Sequence, residues 1–105
     1  MRMSNILFID TSDNKEIRVK LSINDKEYSL SKEFDRKKQV VLPLIEQILR
    51  ENDLVLKDTN EVKVNCGPGS FTGLRVGVAI ANTLGFLLKI PINGKEVGEI
   101  VEPVY

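Results

Sequence analysis

The sequence predicts a single α/β domain: a five-stranded mixed sheet of spatial order 3-2-1-4-5 carrying two helices. Three observations predict it. The chain opens with three strand-like stretches separated by polar turns. Its middle then switches from an apolar period of two to a helical one. Finally, two helical crossovers alternate with short apolar strands, which calls for parallel pairing through right-handed connections. At 105 residues the chain has room for one domain with a modest core.

NILFID, residues 5–10, is a continuous apolar run ending in an acid, as expected of a central strand buried on both faces. TSDN follows as a turn of residues that hydrogen-bond their own backbone. In KEIRVKLSI, Ile17, Val19, Leu21 and Ile23 alternate with Arg18, Lys20 and Ser22, which describes a strand with one wet face. NDK makes a turn, and EYSLSKEF is a weaker third strand of the same meander. From about Asp35 the period changes: Val40, Val41, Leu44, Ile45, Ile48 and Leu49 follow helical spacing through KKQVVLPLIEQILREN, with Asp35 the expected N-cap. Pro43 demands either a kink or a helix that starts nearer to it. LKDTN reads as a loop, EVKVNC as a fourth strand, SFTGLRVGVAIANTLGFLLK as a second helix and IPI as a short fifth strand. The order βββαβαβ is that of the ribonuclease-H-like half of the actin-like ATPase fold. The domain is expected to occupy residues 1–94, with 95–105 a tail of no firm pattern, either loose or the stub of a second domain.

Fifteen basic residues balance fifteen acidic ones, so no net field draws the chain to nucleic acid or a membrane. The run Arg36, Lys37, Lys38 reads as a solvated helix start ahead of an RNA footprint. A single cysteine, Cys66, excludes an internal disulfide. The absence of histidine excludes His-based triads, His general bases and His metal ligands. MRMSNILFID is too short in apolar residues for a signal segment, and no stretch is expected to reach membrane-spanning length. The expected location is the cytoplasm, with no membrane partner.

The stretch CGPGSFTGLRVGVAIANTLG invites a phosphate-binding reading, and its spacing rejects it. No lysine follows the glycines as a P-loop requires. Gly67 and Gly69 are followed by Gly73, one residue too late for the dinucleotide fingerprint, and Pro68 removes a donor. Without histidine, Ser70 has no usual base to activate it as a nucleophile. Ser70 and Thr72 read instead as helix caps. Within the helix, Gly73, Gly77, Ala81 and Gly85 recur every four residues. Interior glycine costs about 1 kcal/mol relative to alanine, and a smooth ridge for close backbone approach would offset that. Packing on the protein's own sheet would explain the ridge. However, Leu74, Val76, Val78, Ile80, Leu84, Leu87 and Leu88 spread the apolar surface beyond a sheet-facing stripe of roughly 100°. Leu42, Ile45 and Leu49 similarly lie well round from Val40 and Leu44. Two over-apolar helices side by side indicate a partner surface, with Val41, Leu44, Ile45, Ile48, Gly73, Val76, Gly77, Ile80, Ala81, Leu84 and Gly85 as its expected residues. The acid and hydroxyls of Asp10, Thr11 and Ser12 are the other polar candidate. They have the look of a first phosphate loop, and a turn held by Asx-type bonds from Asp10 and Asp13 explains them equally well. No metal ligand set and no catalytic residue are expected.

ILFIDTS, VLPLIEQILREN and GPGSFTGLRVGVAIANTLG together resemble the N-terminal domain of the TsaB (YeaZ) family, over about residues 5–94. The resemblance implies a non-catalytic scaffold in the machinery that forms threonylcarbamoyladenosine on tRNA. It further implies pairing through the two helices with a TsaD-like subunit or a second copy, a TsaE-like ATPase as a further partner, and at most indirect contact with tRNA. The family motif loop maps onto Asp10, Thr11, Ser12, Gly67, Gly69, Ser70, Thr72 and Arg75. Family members are about twice this length, and their second domain has no counterpart here, so the chain is either a shortened form or an N-terminal fragment. No cofactor is expected, and ATP–Mg²⁺ would need a partner to complete its site. The alternative reading is a nucleotide-binding half-domain of an actin-like ATPase. Residues 37–40 stand where the family carries a polar His-Ser-Glu stretch, and the chain after Gly94 has no family counterpart.

Overall fold

A computed structural model describes residues 4–35 and 37–105. Arg36, the first residue of the basic run, lies outside the described residues. β1 (Asn5–Asp10), β2 (Glu16–Ile23) and β3 (Lys26–Glu33) form the expected antiparallel meander. The β2–β3 hairpin closes on Asn24 and Asp25, both at positive φ (47° and 73°). That conformation suits the right-handed twist of the flanking strands, and these residue types tolerate it. β4 (Glu61–Val64) pairs in parallel with β1, and the sheet order is β3-β2-β1-β4.

The expected fifth strand does not form. Ile92 makes a single parallel bridge to Val62, with Val62 N–H donating to Pro91 O (3.1 Å) and Asn93 N–H donating to Val62 O (2.9 Å). There the chain turns off the sheet, because Asn93 (φ 52°) and Gly94 (φ 75°) are both left-handed. The side chain of Asn93 then serves in place of the next strand residue. Its Oδ1 accepts from Val64 N–H (2.8 Å) and its Nδ2 donates to Val64 O (3.1 Å). A three-residue apolar stretch beside a proline is thus completed by an amide that imitates a peptide group.

α1 (Val41–Arg50) packs on β2 and β3, and α2 (Phe71–Leu88) on β4 and β1. α1 starts later than the sequence suggests, with Val40 rather than Asp35 at its N-cap. Gln39 Oε1 accepts from Val41 N–H (2.8 Å) and Leu42 N–H (3.3 Å). Asp35 instead closes a separate turn through Lys37 N–H. The late start explains Pro43, whose missing donor falls in the first turn, where no intrahelical partner exists. α2 begins at Ser70, whose Oγ accepts from Gly73 N–H (3.3 Å), and ends at Lys89 in the left-handed conformation.

β1 is also not buried on both faces. Leu7 and Ile9 are buried while Ile6 and Phe8 are only half-buried, because both helices lie on one side. On the other side, the Lys63 ammonium sits 5.6 Å from the Phe8 ring centre, and Lys20 faces Phe8 across the sheet. The core lies between sheet and helices, where Leu7, Val19, Leu21 and Val62 meet Val41, Ile45, Ile48, Val78 and Ala81. Each fully buried aliphatic side chain contributes roughly 1.5–3 kcal/mol.

Candidate functional site

The turn after β1 and the glycine-rich turn before α2 come together, as the motif reading requires. Thr11 is buried and donates from Oγ1 to Gly73 O (2.6 Å), and Ser70 N–H donates to Ser12 O (2.7 Å). Glycine is dictated by this closeness: a Cβ on Gly69 would overlap Ser12, one on Gly73 would overlap Thr11 O, and one on Gly77 would overlap Thr11 Oγ1. Asp10 Oδ1 accepts from Ser12 N–H (3.0 Å), Ser12 Oγ–H (2.6 Å) and Asn65 Nδ2 (3.3 Å). Partial burial pushes this carboxyl upward, but the Ser12 and Asn65 hydrogen bonds and the charge of Arg18 outweigh it and hold the pKa below the ordinary 3.8. Asp10 is therefore a carboxylate serving the turn. Asn65 was missed by the sequence reading. It joins the two turns, since its Nδ2 donates to Asp10 and Ser12 and its Oδ1 accepts from Gly67 N–H (2.9 Å). An asparagine placed just before a Gly-Pro-Gly turn is the signal that points to it.

Of the remaining motif residues, Thr72 and Arg75 are exposed at the start of α2, with the Arg75 guanidinium 5.3 Å from the Phe71 ring centre. Among the described residues no group of three or more acidic or cysteine side chains is arranged to hold a metal.

The expected partner surface needs correction. Val41, Leu44, Ile45, Ile48, Gly73, Gly77, Ala81, Leu84 and Gly85 are all buried within the domain. The glycine ridge faces inward, onto Thr11 at one end and Ile92 at the other. Four-residue spacing reveals that small residues share a face without revealing which neighbour lies against it. Only Val76 and Ile80 of the expected set keep partial exposure. The outward apolar residues are others: Phe71 (56% exposed), Phe86 (77%) and Leu87 (66%) on α2, and Leu42 (41%) on α1. α2, with 18 residues and mean hydropathy 1.5, is long and apolar enough by composition to cross a membrane, contrary to the sequence expectation. Here one of its faces lies in the core.

Residues 34–94 match the family model described as "TsaD: tRNA N6-adenosine threonylcarbamoyltransferase". A tRNA threonylcarbamoyladenosine biosynthesis protein TsaB of Buchnera aphidicola (from Schizaphis graminum) is 43% identical over 68 residues, 64% of this chain and 32% of that protein. Its counterpart from Buchnera aphidicola subsp. Acyrthosiphon pisum is 36% identical over 91 residues, 86% of this chain and 41% of that protein. YeaZ from Pseudomonas aeruginosa superposes with a TM-score of 0.78 at 29% identity, covering 86% of this chain and 42% of that one. The chain belongs to the TsaD family and, within it, to the TsaB (YeaZ) proteins. It spans well under half the length of these relatives.

Proposed function

We propose that the chain is a non-catalytic scaffold in threonylcarbamoyladenosine formation on tRNA, pairing with a TsaD-like subunit or with a second copy. It works in the cytoplasm, with a TsaE-like ATPase as a further member and tRNA reached only through the partner. The pathway follows from the names its relatives carry. The observation behind the pairing is the outward apolar strip of Phe86 and Leu87 on α2, with half-exposed Val76 and Ile80. Such side chains cost free energy in water and stabilise a complex that covers them. Leu87→Glu should leave the thermal transition within the range of surface substitutions, about 0.5 kcal/mol. The same change should abolish co-elution with a TsaD-like subunit and shift any homodimer to monomer on size exclusion. Retained complex would show that the strip is not the interface. Gly77 is not a useful probe of pairing, because a side chain there strikes Thr11 and damages the fold first.

The second reading, a nucleotide-binding half-domain, has one observation in its favour: Asp10–Ser12 and the glycine-rich turn do adjoin. Against it, the Asp10 carboxylate and the Ser70 cap are already engaged within the chain. Calorimetric titration of the full chain with ATP–Mg²⁺, alone and with the partner present, decides it; absence of heat in both removes the reading.

A further inference from the structure

The segment that follows Ile92 is held to the domain in an unusual way. From Asn93 to Ile100 every residue is exposed. Between Lys95 and Ile100 the described backbone hydrogen bonds are local turns, Lys95 N–H to Ile92 O and Glu99 N–H to Glu96 O. Gly94 and Gly98 have nothing within 4 Å of where a Cβ would stand. Then the chain is held again, at Val101, Val104 and Tyr105. Val101 is 4% exposed. The Asn82 side chain on α2 holds the Val101 backbone at both ends: Oδ1 accepts from Val101 N–H and Nδ2 donates to Val101 O, each at 2.9 Å. Val104 N–H donates to Cys66 O at 2.6 Å. The Tyr105 ring lies 4.4 Å from that of Phe71.

These contacts alternate along the segment. Val101 is buried, Pro103 half-buried and Tyr105 stacked on Phe71 although 55% exposed, while Glu102 and Val104 are exposed. Alternate side chains turned onto the protein, with main-chain hydrogen bonds between them, is the pattern by which extended peptides are recognised. An asparagine amide paired with one residue's N–H and C=O grips backbone without regard to sequence. The pocket for Val101 and the Phe71 ring supply the selectivity. The floor of the groove is the glycine-rich turn itself, for a Cβ on Gly67 would overlap Val104 O.

We propose that the groove along α2, from Asn82 to Phe71 and Cys66, is a binding site for an extended peptide of the pattern aliphatic–x–Pro–x–Tyr, filled here in cis by Val101–Tyr105 and open to the same segment supplied in trans by a second copy. Tethering through an exposed connector gives the cis segment a high effective concentration, so it occupies the groove by default. Exchange between copies conserves every contact, which is the condition for swapping. This site is on a different part of α2 from Leu87 and does not rest on the scaffold reading.

The test uses the full chain with a specific protease site placed between Gly94 and Gly98. After cleavage, a fluorescein-labelled peptide of residues 99–105 is titrated in and its anisotropy followed. Saturable uptake, competed by unlabelled peptide but not by a peptide carrying Val101→Asp, is the expected result. In the cleaved Asn82→Ala protein the peptide should bind about tenfold more weakly or worse. Loss of the cooperative thermal transition on cleavage would make the segment an integral part of the core and overturn the proposal. Failure of the labelled peptide to exchange in, or binding indifferent to Asn82→Ala and Val101→Asp, would overturn it as well.

Discussion

α1 and α2 lie on the same sheet and solve the same packing problem with different sequences. α1 buries five aliphatic residues on one face and leaves Glu46 and Arg50 outside, with Leu42 its one exposed large apolar residue. α2 settles onto β1 and β4 through glycine and alanine as well as Leu74, Val78 and Leu84, and Phe71, Phe86 and Leu87 extend round to solvent. In α1 the sheet uses nearly all the apolar surface the sequence supplies. In α2 it uses the small residues together with Leu74, Val78 and Leu84, and Phe71, Phe86 and Leu87 remain for something else. Apolar content alone therefore does not locate a partner surface; what matters is which apolar residues remain once the sheet has been served.

The contrast can be broken most severely at Gly77. Gly77→Leu forces a side chain into the Thr11 side chain, which is buried and held by its hydrogen bond to Gly73 O, so the overpacking should cost about 3 kcal/mol or more, the upper end for such changes; urea denaturation should show loss of most of the stability. Ile45→Ala, the corresponding insult to α1, leaves a cavity rather than a clash and should cost about 2–5 kcal/mol by the same measurement. If Gly77→Leu proves milder than Ile45→Ala, the two helices do not differ as described. The caps sharpen the comparison on a smaller scale. Ser70→Ala removes the single acceptor for Gly73 N–H and should lower stability by about 1 kcal/mol. Gln39→Ala, at the less regular start of α1, should cost no more than that.

The smallest effect concerns the turn that seats α2. The Asp10 pKa is lowered in the folded chain, so its stabilisation is fully present above the ordinary value of 3.8 and is lost as pH falls through the lowered one. Asp10→Asn should flatten that acid limb in a pH series of thermal melts, its small cost being fullest at neutral pH, where the carboxylate contributes, and fading as pH falls.

Strand and helix content was legible from local pattern. β1 falls on NILFID and α2 within one residue of each predicted end, because alternation and helical spacing are local properties. What failed depended on a distant neighbour. The seat for the glycine ridge is Thr11, 62 residues from Gly73, and nothing in the helix itself names it. The start of α1 turned on Gln39, a residue outside the usual N-cap set. The missing fifth strand turned on a side chain of Asn93 acting as backbone. The motif residues are grouped by the family resemblance, while Asn65, whose side chain joins the two turns, has no local pattern that marks it.

That behaviour of Asn93 reaches beyond local geometry. A sheet with an unpaired outer strand offers a template on which other chains can add, the first step toward fibrous aggregation. Along β4 the outward groups of Val62 are taken by Pro91 and Asn93, and those of Val64 by one amide. The opposite margin, β3, carries Lys26, Glu27, Lys32 and Glu33, charges that discourage a neutral neighbour. One asparagine thus does for this small sheet what a fifth strand does for a larger one: it leaves nothing at that margin for a stray chain to extend.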